Sequence, residues 1–480
     1  SDDYYSSLEG SLPTIATGRI PVTDESKTGF MINKIRDYTL NPSPGIWKQK
    51  FMLTADDYRK LNYSATSEIR HTMNSIDLYN IIKNNAITNT YYGAEYEPEP
   101  GEGWITLPEM TTDIISALNQ GTAVINYIGH GSFDALADEK ILLKDRDISL
   151  IIPDENKFAI WVVGTCSFGH YDGEDSMSEA LLNNPGGAIA LITTSRSVYT
   201  GTNIQFLTKI FLQFNDYIQG LNDYRLGDIA YFAKTNSNSS TYSLFHLYGD
   251  PALKLPFFTK EDIINEFETK IIEQMIPEYL ELSIPINSQN ILTINNDEYF
   301  NEINADGHIY NILHPGKVIL NNQLNSTNSF ILPIDAPSCD SCLQINIYSE
   351  VEVEKNIFDY SNHWSLNENL NISDEIDGPS ISLFTNNSEI ISGDLINIPA
   401  NLLIQFSDKI GINTFGGLGH EITFQLNNET INDITHLFEG ISDSVGNIQF
   451  NITEMSQYEN EIKIIAWDNL NNKSEEKFIL

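Results

Sequence analysis

The sequence predicts an α/β domain followed by two β-sandwich domains, and three observations carry that prediction. Short apolar runs alternate with helical patterns through about residue 256, the signature of a covered α/β sheet. From about residue 257 the chain turns to segments rich in Asn, Ile, Ser and Asp, cut by turn signals such as "INNDEY", "NADGH" and "NNQLNSTN". An acidic linker and a Gly-Pro turn, "DEIDGPSISLF" at 374–384, then open a fresh alternating stretch. The chain therefore divides into residues 1–256, 257–373 and 374–480, the last two read as β-sandwich domains of about 110 residues each. A length of 480 residues leaves room for that many cores.

The elements of the first domain follow in order. "TIATGRI", "KQKFMLTAD", "GTAVINYIG", "KFAIWVVGT" and "GAIALITT" read as strands, short apolar runs of the kind a parallel sheet buries on both faces. Between them, "DESKTGFMINKIRDYTL" reads as a helix with acids early and bases late, as a helix dipole prefers. "EIRHTMNSIDLYNIIKNN" and "MTTDIISALNQG" read as the next helices, the second closed by Gly121 as its C-cap. "SEALLNN" and "NIQFLTKIFLQFNDYI" complete the series.

Composition bounds the function. Hydrophobic content of 41 % and aromatic content of 11 % describe a folded chain. Its 27 basic and 66 acidic residues give a formal charge of −39, which excludes nucleic acid as a partner because phosphate binding needs basic surface. That acidity suits a protein facing salty or extracellular water, or one that holds cations. No apolar stretch approaches the ~18–20 residues of a membrane helix, and the opening "SDDYYSSLEG" is not a basic and apolar leader.

Two strand ends deliver reactive side chains. "AVINYIGHGS" presents His130 between Gly129 and Gly131, and "AIWVVGTC" presents Cys166 after Gly164 and Thr165. In α/β sheets catalytic groups gather beyond the carboxyl ends of strands, so both fall on one rim. An imidazole beside a thiol raises its thiolate fraction or accepts its proton. The N–H groups of Gly131 and Cys166 are positioned to stabilise a tetrahedral oxyanion. The predicted chemistry is acyl transfer by a cysteine nucleophile. Each residue alone has a plainer reading: a buried cysteine is a small hydrophobe, and a glycine-flanked histidine can end a strand. Zinc is a third reading, through Cys166, His170, Asp172, Glu174 and Asp175 with His130, but the spacing matches no standard zinc motif.

Other features are plainer. Cys339 and Cys342, in "CDSC", read as a short loop disulfide, which leaves Cys166 unpaired. "DGED" at 172–175 and the initial "SDD" could bind calcium, although solvated acidic loops look the same. No cofactor is required by the chemistry. His420, in "GLGHEI", reads as structural.

The motifs of the first ~256 residues resemble the gingipain-type cysteine peptidases, which share the caspase-like fold. "SDDYYSSLEG" is similar to that family's entry segment, "ATGRIPV" to its glycine–arginine strand, and "NYIGHGS" to its histidine motif. "VVGTCSF" resembles the cysteine motif and "HLYGDPALKL" the closing Gly-Asp-Pro segment. The resemblance implies Cys166 as nucleophile and His130 as general base. It implies an acidic third member at Asp56, in "MLTADDY", orienting His130, with Asp57 as the competing choice. Glu68, in "SEIRH", is most similar to the residue that selects basic P1 side chains; an ordinary acid in a first helical turn is the alternative. Gly164 stands where the family places a larger side chain, leaving P1 specificity open. The family's catalytic unit has two subdomains and this chain begins at the second, which implies a fragment. "DGPSISLF", "FSDKIGINTFGGLGHEITFQL" and "IKIIAWDNLNN" resemble the C-terminal module of type IX secretion sortases. That likeness implies a bacterial cell-surface or secreted endopeptidase and transpeptidase. It would remove C-terminal signal domains from exported proteins, with outer-membrane secretion components and a lipopolysaccharide acceptor as partners. The alternatives are a secreted protease of broad substrate range and a non-catalytic surface adhesion protein.

Overall fold

The computed structural model describes residues 2–480 apart from 9–11, 61–62, 102–104, 154–155, 174, 237–239, 265–269, 284–288, 325–328, 353–354, 370–375, 387, 416–418, 428–430, 443, 453–454 and 456–458. The chain forms two compact units, one of residues 1–259 and 299–315, the other of 260–298 and 316–480. The boundary expected at 373/374 lies outside the described residues.

The first unit is built on a six-stranded sheet: β1 Lys50–Ala55, β2 Ile87–Tyr92, β3 Val124–Ile128, β4 Ile160–Gly164, β5 Ala190–Thr194 and β6 Phe245–Tyr248. Its order is β6-β5-β4-β3-β1-β2. All neighbours are parallel except β6, which runs antiparallel to β5. Every residue of β3, β4 and β5 is buried, which is why these strands read as unbroken apolar runs. Helices Glu25–Leu40, Arg70–Ile82, Pro108–Gln120, Met177–Asn183, Thr200–Ile218 and Leu226–Thr235 join them. Asp24 caps the first by accepting from Lys27 N–H. Gly121 ends the third at φ +109°, a backbone conformation open to glycine.

The fold departs from expectation in three respects. "TIATGRI" is not a sheet strand: only Arg19 makes a bridge, to Tyr248. A Cβ at Gly18 would fall 2.9 Å from Pro251 Cδ, so the segment lies too close to its neighbour for a side chain there. Strand β2 and helix Leu226–Thr235 were not foreseen; β2 occupies the sheet edge and leaves Asn89 and Thr90 partly exposed. Third, a hairpin of β7 Tyr299–Ala305 and β8 His308–His314 belongs to this unit. It buries Ile303 and Ile312 against Ala55, Ile69, Ile76 and Tyr92. His314 accepts or donates to Thr90 Oγ1 at 2.9 Å and meets Glu95 at 2.8 Å.

A buried network fixes the start of the chain to β6. His246 Nδ1 meets Asp2 at 3.2 Å and its Nε2 meets Ser195 Oγ at 3.1 Å, while Arg19 also pairs with Asp2.

Among the described residues the second unit is built of β-strands with one short 3-10 turn, Thr435–Leu437. Strands Gln289–Asn295, Val318–Gln323, Cys339–Glu352 and Lys355–Asn367 form one antiparallel sheet around Leu292, Ile294, Ile345, Ile347 and Trp364. Two further antiparallel sheets follow, one around Ala400–Ser407 and Val445–Ile452, the other around Thr423–Leu426 and Glu461–Trp467. Cys339 and Cys342 are joined in a disulfide. His420 meets Asp335 at 2.9 Å and packs on Trp467. Among the described residues no helix is long and apolar enough to cross a membrane.

Candidate active site

The sheet order reverses at β1: the chain goes from β1 out to β2, then returns to place β3 on the other side of β1. Such a switch point opens a crevice beyond the strand ends. Asp56 follows β1, His130 follows β3 and Cys166 follows β4. The register pairs Ile128 with Gly164, so His130 and Cys166 each stand two residues beyond one aligned pair. Both are partly exposed, whereas the strands behind them are sealed.

Cys166 is unpaired, and its Sγ lies 3.7 Å from Val198 O. The chain turns sharply after it: Ser167 has φ +56°, and Gly169 N–H returns to Thr194 O at 2.9 Å. A non-glycine residue is uncommon in that region, and here it marks a tight turn directly after the thiol. Phe168 is fully buried and anchors the turn. Gly164 is glycine for a packing reason, since a Cβ there would sit 2.7 Å from Leu207 Cδ1.

His130 is held at three points. Its N–H donates to Asp56 Oδ2 at 2.7 Å, its carbonyl accepts from Tyr127 Oη at 2.7 Å, and its Nε2 meets Glu68 Oε2 at 2.7 Å. The two acids therefore differ from their expected places. Asp56 meets the backbone of His130, not its ring, because it sits level with the loop as β1 ends. Glu68 meets the ring, the contact expected of Asp56. Asp57 is engaged elsewhere, by Arg59 N–H at 2.7 Å and its guanidinium at 3.1 Å. A carboxylate accepts, so Nε2 carries the imidazole proton and Nδ1 keeps the lone pair.

Glu68 is buried at the end of the short helix Ala65–Glu68, and helix Arg70–Ile82 begins two residues later. His71, three residues on, is also buried; its Nε2 lies 3.9 Å from Glu68 Oε2 and its ring meets that of His130 edge-on at 5.2 Å. Burial pushes His71 down to about 4. His71 was missed in the sequence; the Glu68–His71 spacing of three on helical residues was the available signal. Asp56, Asp57 and Glu139 are buried close together. Burial, with the charge of Glu139, raises the Asp56 carboxyl well above its ordinary range.

Gly131 closes the site. A Cβ there would lie 2.7 Å from Thr165 Oγ1 and 3.0 Å from Ala135 O. Among the described residues no protein acceptor takes the N–H of Gly131 or of Cys166. Two free donors on the thiol's rim are what an oxyanion requires. Of the acids read as calcium candidates, Asp172 pairs with Arg196, Asp2 with Arg19 and His246, and Asp3 with Lys234, while Glu174 lies outside the described residues.

A free thiol and a carboxylate-bound imidazole on one rim of a mostly parallel sheet are the parts a cysteine-type peptidase uses. The model of peptidase family C25, the gingipain family, matches residues 1–256, more than half of the 480, and the chain belongs to that family. It is a cysteine-type peptidase. Among solved structures it is similar to the Arg-specific cysteine proteinase gingipain R (13 % identity, TM-score 0.45, 76 % of this chain and 79 % of that one). It is also similar to the complex of RgpB pro- and mature domains from Porphyromonas gingivalis (14 % identity, TM-score 0.42, 76 % and 81 %). A third is dimeric latent PorU from Porphyromonas gingivalis (19 % identity, TM-score 0.28), where the match spans 61 % of this chain and 31 % of that one. No curated protein matches the sequence.

Proposed function

We propose that Cys166 is the nucleophile and His130 the general base of an endopeptidase acting on exported proteins, with Glu68 orienting the imidazole. The observation that carries this reading is the 2.7 Å contact between His130 Nε2 and Glu68, which leaves Nδ1 as the basic nitrogen. The thiol proton passes to that nitrogen as Sγ attacks the peptide carbonyl. The oxyanion develops between the N–H groups of Gly131 and Cys166. His130 then protonates the leaving amine, and water or an acceptor amine resolves the thioester.

The sortase-like form of the activity rests on the C-terminal sequence motifs, in which residues 374–480 resemble the module of type IX secretion sortases. Under this reading the C-terminal sheets are β-sandwich modules, and the enzyme works at the bacterial cell surface. Its partners are outer-membrane secretion components, and a lipopolysaccharide amine competes with water. Calcium in acidic loops remains compatible with this role and is not required by the chemistry.

The test is incubation of the chain with an exported protein carrying a C-terminal signal domain, with and without an amine nucleophile. Mass spectrometry of the new carboxyl end should show an amide to the added amine that is lost in Cys166→Ala. Hydrolysed product alone would leave a protease without transpeptidase activity. Intact substrate, with no labelling of Cys166 by peptidyl chloromethyl ketones, would overturn the catalytic assignment.

A further inference from the structure

We infer that Glu68, His71 and His130 form a binding site for a zinc-class divalent ion, and that an ion there switches the imidazole off without touching the thiol. The inference rests on the peptidase reading for its consequence, though not for the site itself.

One ligand atom from each of the three side chains lies within 4.8 Å of the other two. His130 Nε2 and His71 Nε2 stand 2.7 and 3.9 Å from the same oxygen, Glu68 Oε2. Zinc–ligand bonds of about 2.0–2.1 Å at tetrahedral angles separate ligands by about 3.3 Å. The two observed distances bracket that value, so one pair opens and the other closes by a similar small amount. Two nitrogens and a carboxylate oxygen suit zinc and its neighbours, whereas calcium takes oxygen alone. The fourth position falls to water, because His130 is 30 % exposed beside two buried partners.

His71 supplies the independent observation. Its side chain is only 6 % exposed, its Nδ1 is buried with no hydrogen-bond partner, and its Nε2 stands 3.9 Å from Glu68 Oε2, beyond hydrogen-bond distance. Buried polar groups are nearly always hydrogen-bonded, and an ion on Nε2 would give this imidazole a partner on the side that faces Glu68.

The consequence follows from proton placement. With Glu68 as acceptor the His130 proton sits on Nε2 and the lone pair on Nδ1. An ion on Nε2 takes the lone pair there, and the ring proton moves to Nδ1. No proton is lost overall, yet the nitrogen that would receive the thiol proton becomes a donor. Zinc is thus an inhibitor that competes with the Glu68–His130 hydrogen bond.

The test uses the full chain carrying Cys166→Ala, titrated with zinc against a chromophoric chelator. One equivalent should bind, and adding His71→Gln should weaken it at least about 10-fold. Zinc-edge X-ray absorption on the unsubstituted chain should show a nitrogen and oxygen shell with imidazole and no sulfur. Alkylation of Cys166 by iodoacetamide should slow over the same zinc range. Loss of binding in Cys166→Ala, affinity indifferent to His71→Gln, or a sulfur shell would overturn the site. Thermal melts without zinc check that His71→Gln folds, and the absorption measurement decides if it does not. Failure of the peptidase reading would appear separately, as an unreactive Cys166 without zinc while Cys166→Ala still binds the ion.

Discussion

The same sheet carries two chains of nucleophile, imidazole and acid, and only one stands at an open rim. At the front, His130 binds Glu68 through Nε2 on the same rim as Cys166. One strand past the cysteine, Ser195, His246 and Asp2 make a continuous network of similar contacts, 3.1 and 3.2 Å. The His246 side chain is 1 % exposed and that of His130 30 %. The rear network also recruits Arg19, which satisfies Asp2 from a second side and ties the first residues to β6. An imidazole–carboxylate contact is therefore common to both, and what separates them is access and an uncommitted basic nitrogen.

The sharpest test of that contrast is to neutralise each acid. Glu68→Gln should lower kcat/KM by about 10²–10⁴-fold, since the ring loses both its orientation and a charge partner. Asp2→Asn should leave kcat/KM within a few-fold while lowering the melting temperature. Comparable losses from both would show that the rear network acts on turnover. Next in size is the hairpin. Ile312→Ala should cost about 2–5 kcal/mol in chemical denaturation, because it opens a cavity beneath Ile69, the residue next to Glu68. Asp56→Ala should cost about 1–3 kcal/mol for each of two buried N–H groups it orphans, those of His130 and Asp57.

The smallest effect is a pH dependence of the rear network. Burial lowers the His246 pKa below its ordinary 6.5, so the unfolded chain binds the proton first and stability falls as pH drops below about 6.5. For Asp2, burial works upward, but hydrogen bonds from His246 and Arg19 outweigh it and hold the carboxyl below 3.8. Its contribution is complete above about pH 4 and is lost on further acidification. Melting curves should therefore fall in two acid steps, and Asp2→Asn should remove the lower one. A flat profile between pH 7 and 5 would remove His246 from the account.

Strands β1, β3, β4 and β5 were legible because a sheet covered on both faces leaves an apolar run, and His130 and Cys166 were legible because each ends one. Strand β2 was not, since an edge strand holding Asn89 and Thr90 breaks that run. Asp56 was rightly placed near His130, yet only the structure distinguishes a carboxylate facing a backbone N–H from one facing a ring. Glu68 was read as an acid in a first helical turn, and no local pattern shows that its carboxylate, buried at the end of Ala65–Glu68, reaches the ring. The hairpin was invisible for another reason: its sequence matches the β-rich unit around it, and its partner surface lies more than two hundred residues earlier.

That hairpin also governs when the enzyme becomes complete. The chain leaves the first unit at 259, returns at 299 and leaves again at 315. During synthesis the ribosome has delivered every residue proposed for chemistry well before Ile303 and Ile312 emerge. Domains fold as they appear, but this one is delivered with Ile69 and Tyr92 uncovered, and Glu68 rests on the unfinished side. The packing around Ile69, the neighbour of Glu68, is therefore finished only once the chain has returned through the hairpin.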